Sequence, residues 1–263
     1  MPSFLVLLKR IISIAKNTFR EAVRDRVLYN LVVFVLLLIA CAILLGDLTD
    51  GHEARTIVNI GLNAVLLFGA FIAIFVGIGL VSKEIERRTV FAIFAKPVGR
   101  SEFIVGKYAG LCLTLAVNVA VMGVGVSVAL ASVGGMDLAG PVWATIILIF
   151  FELTILTAVA ILFSSFSSPS LSALLTFFVF VIGHFSSSLR DLGVSLESQG
   201  ARYVLDAIYY LLPNLSHFTF VTNAAHGEVP PLAMVGGAIL YAIVFDAILI
   251  AATILIFSRR NFR

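Results

Sequence analysis

The sequence predicts an all-α polytopic membrane protein with six transmembrane helices. It adds an N-terminal amphipathic elbow helix, a cytoplasmic helical segment between spans two and three, and an external amphipathic helix before span six. Three observations carry this. The 263 residues are 60% hydrophobic and only 13% charged, well away from ordinary soluble usage. Apolar runs long enough to cross a hydrocarbon core of ~30 Å recur at 28–46, 57–82, 108–133, 141–163, 171–187 and 232–257. Fifteen of the eighteen basic residues fall on one side of those runs. No long polar stretch is left for a second domain, so the chain reads as one domain, 1–263.

Residues 1–27 precede the first span. At about 100° per residue, Lys9, Arg10, Ser13, Lys16, Asn17, Arg20, Glu21 and Arg24 share one sector. Phe4, Leu5, Leu8, Ile11, Ile12, Ile14, Phe19 and Val23 fill the rest. A wide apolar face beside a basic one describes a helix lying in the membrane interface, in contact with anionic lipid. It is either a simple anchor or an elbow that steers span one. The apolar run Phe4 to Leu8 is too short for a cleavable signal, and Lys9 and Arg10 follow it instead of preceding it. Cys41 and Cys112 both fall inside predicted spans, so no disulfide framework is available.

Charge bias sets the orientation. Six basic residues precede span one, six lie between spans two and three, and Arg259, Arg260 and Arg263 follow span six. Only Arg55, Arg190 and Arg202 lie on the other side. Both termini are therefore expected in the cytoplasm and the chain in a plasma (inner) membrane. The 47–56 and 134–140 loops and the long 188–231 connection are expected outside.

The connector 83–107 is the most informative stretch. Glu84, Glu86, Arg87 and Arg88 are charged, and Val90, Phe91, Ile93 and Phe94 are apolar. The turn Pro97-Val98-Gly99-Arg100 stops a short helix. Ser101 is expected to cap the next one, with Glu102 in its first turn. Apolar side chains rimmed by charge mark a docking site for a partner protein, unless they dip into the interface or pack under the bundle. Outside, "ARYVLDAIYYLLPNLSHF" puts Val204, Leu205, Ile208, Leu211 and Leu212 at helical spacing, and Pro213 ends the run. The amphipathic helix it predicts covers the outer mouth, with its apolar face on the bundle or in the interface.

Two carboxylates lie within spans: Glu152 in span four and Asp246 in span six. Ionisable groups at that depth face a bundle interior or a wet cavity. Asn59, Asn63, Asn118 and His184 are candidate partners. The carboxylates, with Asn118, either border a translocation path or lock helices together by hydrogen bonds.

Much chemistry is excluded. There is no P-loop, no H-E-x-x-H and no G-x-S-x-G, and the four histidines lack metal-ligand spacing. The basic residues are accounted for by a cytoplasmic membrane face, so nucleic acid is not expected. One fragment points elsewhere. "DLTDGHEAR" at 47–55 resembles the opening of the CDP-alcohol phosphatidyltransferase signature, D-x-x-D-G-x-x-A-R. Its continuation requires glycine and two aspartates where this chain has Ala64, Phe68 and Ile72. A metal site on a diphosphate substrate needs those carboxylates, so the fragment reads as a polar outer turn. A membrane scaffold that transports nothing is the other alternative.

The order of parts, and "SKEIERRTVFAIFAKPVGRSEFIVGKYAG" within it, resembles type-2 ABC-transporter permeases. In that family an E-x-(x)-R-[GT]-T stretch leads to a short helix, then a P-[VIL]-[GS]-R turn and a G-K pair entering span three. Here these are Glu84, Glu86, Arg87, Arg88, Thr89, Pro97, Val98, Gly99, Arg100, Gly106 and Lys107. Arg88 stands where the family often has glycine. The resemblance implies a permease that dimerises with a second copy or a second permease. It implies a separate ABC ATPase subunit that binds ATP and Mg, docked against Glu84, Glu86, Arg87, Arg88, Val90, Phe91, Phe94 and Arg100. No cofactor is expected on this chain itself.

Overall fold

A computed structural model describes residues 4–24, 33–34, 37–38, 41, 52–86, 99–186, 188–189 and 199–259. Among them every regular element is helical. The long helices are α1 (Phe4–Arg24), α2 (Glu53–Glu86), α3 (Arg100–Ser132), α4 (Ala139–Ser164), α5 (Pro169–His184), α6 (Gln199–Leu211) and α8 (Leu232–Arg259). The five-residue α7 (Val221–Ala225) lies between α6 and α8.

Among the described residues, four segments are long and apolar enough to cross a membrane: Glu53–Gly79, Arg100–Ser132, Met136–Ser164 and Leu232–Arg259. Pro169–His184 is a shorter apolar helix of 16 residues. Of the predicted span 28–46, only 33, 34, 37, 38 and 41 are described. Phe34 and Leu38 there are buried in the main core, with the Phe34 ring 5.1 Å from that of Phe68.

The bundle is built around α4, the most buried of the spanning helices, with α2, α3, α5 and α8 against it. α8 is the least buried, and Leu240, Ile243, Val244, Ile248 and Leu255 face outward from it. Lipid is as apolar as leucine, so helices associate here through close packing and small residues rather than by escaping water. A Cβ added at Gly69 would sit 2.3 Å from Leu153, and one at Gly61 2.9 Å from Val126. The eight-residue step between these glycines turns the helix by about 80° beyond two full turns. The small-residue stripe of α2 thus winds from α3 toward α4. Gly123 on α3 meets Ile146 and Trp143 of α4 in the same way.

Turn residues account for the breaks. Gly134 has φ +73°, and the N–H groups of Gly134 and Gly135 return to Ala131 and Leu130, closing α3. Ser168 is extended and Pro169 opens α5, where a missing N–H has no cost. The expected cap at Ser101 is corrected. Gly99 is extended and its carbonyl accepts the N–H of Phe103 at 3.1 Å, so α3 begins two residues earlier, at Arg100, with no side-chain cap.

Candidate functional site

The first turns of α3 hold three helices together. α1 lies along this end of α3, and its contact runs through a Gly106-x-x-x-Gly110 pair. A Cβ at Gly106 would lie 2.7 Å from Ile14, and one at Gly110 would lie 2.6 Å from the Ala15 carbonyl oxygen and from Thr18. Thr18 and Ala22 are fully buried beneath this contact. Two ion pairs flank it: Arg10 to Glu102 and Lys107 to Glu21, both at 3.6 Å. Lys107 is 1% exposed and its Nζ also lies 5.9 Å from the centre of the Phe103 ring. The amphipathic face of α1 is therefore not wholly given to an interface. Ile14, Thr18 and Ala22 form a narrow stripe spent on α3, and Glu21 and Arg10 flank it.

On its other side the start of α3 binds the end of α8. Arg100 Nη1 donates to the carbonyls of Ser258 at 2.6 Å and Phe257 at 3.3 Å. The Phe103 and Phe257 rings stack at 6.1 Å. The last carbonyls of a helix have no intrahelical partner and carry its negative dipole end, so a guanidinium there satisfies both. Replacing Arg100 by glutamine is expected to lose about 1 kcal/mol and to speed amide exchange in the last turn of α8. Arg100→Lys should recover part of the loss, since it keeps the charge and not the fork. Exchange unchanged in both variants would show that the cap contributes nothing.

The remaining residues proposed for docking divide by position. Glu84 and Glu86 lie in the last turn of α2. Arg87, Arg88, Val90, Phe91 and Phe94 lie outside the described residues.

The intramembrane carboxylates have separate surroundings. Glu152 is 1% exposed, and its Oε1 lies 3.3 Å from Nδ1 of His184 on α5. The His184 ring packs on Phe180 at 4.9 Å. Asp246 lies beside Tyr108 on α3 and Thr154 on α4. Thr154 donates to the Phe151 carbonyl at 2.7 Å, and Asp246 Oδ1 is buried without a hydrogen bond. Glu152 and Thr154 are two residues apart, about 200° around α4. The two carboxylates therefore approach α4 from opposite sides and do not form a carboxylate pair. Asn118 donates to the Thr114 carbonyl at 2.7 Å, and its Oδ1 is buried without a hydrogen bond. Asn59 and Asn63, offered as partners for the carboxylates, instead face an open groove on α2, with Asn63 donating to the Asn59 carbonyl at 2.8 Å.

The far end of the bundle is closed by a segment that periodicity alone did not single out. α6 leaves Tyr203, Val204, Tyr210 and Leu211 exposed. The residues just after it are the buried ones: Leu215, Phe218, Phe220, Val221, Ala224 and Ala225 all join the main core. Asn214 shapes the approach. Its Oδ1 accepts from the N–H and hydroxyl of Ser216, and its own N–H donates to the Tyr241 hydroxyl of α8 at 2.8 Å. The signal was present in "PNLSHFTFV", where Pro-Asn punctuates an apolar stretch too short for a helical period.

The family described as ABC-2 family transporter protein matches residues 12–262, nearly the whole chain. The chain belongs to the ABC-2 transporter family. No curated protein matches it. As an ABC-2 chain it is a multi-pass membrane component of a transporter and not itself a catalyst. The resemblance carried by residues 82–110 thus extends over the rest of the sequence. Of the transferase-like fragment, Asp47, Asp50 and Gly51 lie outside the described residues, and Ala54 and Arg55 open α2. Phe68 and Ile72, where that signature needs aspartates, pack in the core.

Proposed function

We propose that the chain is the permease subunit of an ATP-driven exporter, with six spans and both termini in the cytoplasm. It works as a dimer with a second copy or a related permease, in the plasma (inner) membrane. A separate ABC ATPase binds ATP and Mg and docks on the segment between α2 and α3. Nucleotide-driven closure of the ATPases moves that segment, and the spans rearrange to open a path outward. The match over 12–262 carries this reading. The convergence of α1, the start of α3 and the end of α8 at one end of the bundle supports it, because that end also holds most of the described basic residues.

The test is co-purification with the P-loop ATPase encoded beside it or supplied in trans. The wild-type chain should retain it. Glu84→Lys, Glu86→Lys and Phe91→Asp should each retain at least about tenfold less, as loss of a charged or aromatic anchor does, and should lower transport while the bundle stays folded. Retention by all three variants would remove the docking assignment. Absence of any ATPase from the wild-type preparation would remove the permease role.

A further inference from the structure

A groove of about 780 Å³ opens on the outward side of α2 near its first turns, with the α7 region as its other wall. Arg55, Asn59 and Asn63 follow one another at four-residue steps along it, and His226 faces them. Ile60, between the two amides, and Leu67, one turn beyond Asn63, line the same groove and are 41% and 45% exposed. Polar side chains on the outer face of a spanning helix are costly in hydrocarbon and mark a site by default. Their order here is directional. The cation stands near the helix end, where headgroups lie, the two amides follow one and two turns deeper, and Leu67 lies furthest toward the middle of the bilayer.

The charge is one-signed. None of the described residues lining the groove is acidic. Glu53 lies two residues before Arg55, about 200° around the helix. Glu228, near His226 in sequence, is engaged by Asn223 Nδ2 at 2.6 Å. Arg55 is also one of only three basic residues on its side of the predicted topology. It is not explained by the charge bias that accounts for the other fifteen.

We propose that this groove is a binding site for an anionic phospholipid. Its phosphate sits at Arg55, its glycerol and ester oxygens meet Asn59 and Asn63 one and two turns deeper, and one acyl chain lies along Ile60 and Leu67. A guanidinium offers two parallel donors to a phosphate, and the amides supply further donors without adding charge. The site stands on the groove alone and does not depend on the transport role.

Brominated lipids quench a nearby tryptophan and so report which lipid occupies a site. Trp143 is the only tryptophan, so Trp143→Phe with Leu67→Trp places a single reporter in the groove. In vesicles mixing phosphatidylcholine with brominated phosphatidylglycerol, and the reverse, the reporter should show about fivefold preference for phosphatidylglycerol, the effect of one basic residue at an anionic surface. Adding Arg55→Gln should bring the ratio to one, while Arg55→Lys keeps most of it. Quenching by brominated phosphatidylcholine should persist in every variant, showing that the reporter still meets lipid. A ratio of one in the parent, or a preference that survives Arg55→Gln, overturns the proposal.

Discussion

Gly110→Leu is expected to detach α1 from α3 and to be the most damaging single change outside the core of α4. The obstacle is backbone, since a Cβ at this position meets the Ala15 carbonyl oxygen at 2.6 Å. A side chain can swing aside, but a helix carbonyl cannot, so α1 must move as a body. Movement separates Lys107 from Glu21 and Arg10 from Glu102, each now 3.6 Å apart. Overpacking costs about 1–3 kcal/mol, and drawing the half-exposed Glu21 away from the buried Lys107 adds to it. The measurements are the thermal midpoint in detergent and trypsin cleavage at Lys9, Arg10 and Lys16, which should rise sharply. Gly79→Ala is the control, because a Cβ there meets nothing within 4 Å. It should leave stability equal or slightly raised. If Gly110→Leu leaves cleavage and melting unchanged, the close α1–α3 contact is not what holds the N-terminal helix.

The second large effect concerns Glu152 and His184. Glu152→Ala should cost about 2 kcal/mol or more, because it leaves a cavity at a fully packed position of α4 and removes the group facing the imidazole. Part of that loss is relieved because the His184 side chain is 23% exposed. His184→Ala should cost less, since it also leaves the carboxylate free to hold its proton. Replacing both with apolar groups of similar volume, Glu152→Leu with His184→Phe, should be close to neutral in a membrane interior. The phenylalanine also keeps the ring contact with Phe180. A double-mutant cycle therefore returns a coupling above about 1 kcal/mol. The same double variant separates two roles. A lock between α4 and α5 predicts full transport from the apolar pair, and a polar step in the path predicts a folded but inactive protein. A coupling near zero would dismiss the pair as an interaction altogether.

Much of the architecture was legible because membrane physics leaves few options. Long apolar runs must be helices when no water is present to satisfy the backbone, so α2, α3, α4 and α8 follow from composition. The limits of α5 were marked by Ser168-Pro169 and by Gly183-His184, which are local signals. Ser101 was a poorer guide. A capping side chain is a preference of about a kcal/mol, and an extended Gly99, whose carbonyl takes the Phe103 N–H, already stands at the cap. Helical periodicity found α6 but misjudged what closes the far end. Leu215 and Phe218 are buried by contacts with distant helices, including Leu215 against Gly183, and no local period records such contacts.

The candidate site divides in the same way. Glu152, Asp246 and Asn118 were visible as polar residues in apolar runs. Which partners they meet was not, because the residues concerned lie on other helices. Arg100 shows the difference most clearly. By sequence it belongs to a turn suited to a partner protein, yet in the fold its guanidinium caps a helix 157 positions away.

By itself the sequence determined the helical class, the lengths of the apolar segments, the side on which positive charge collects and the family. These depend on quantities that add along the chain: hydrophobicity, charge and turn propensity. Only the tertiary structure decided that α1 lies on α3 through Gly106 and Gly110, that Glu152 and Asp246 face opposite sides of α4, and that Arg100 closes α8. Each of those depends on the rotation of one helix against another. In a bilayer that rotation is set by close packing and a few polar contacts, because lipid gives the apolar faces no preference of their own.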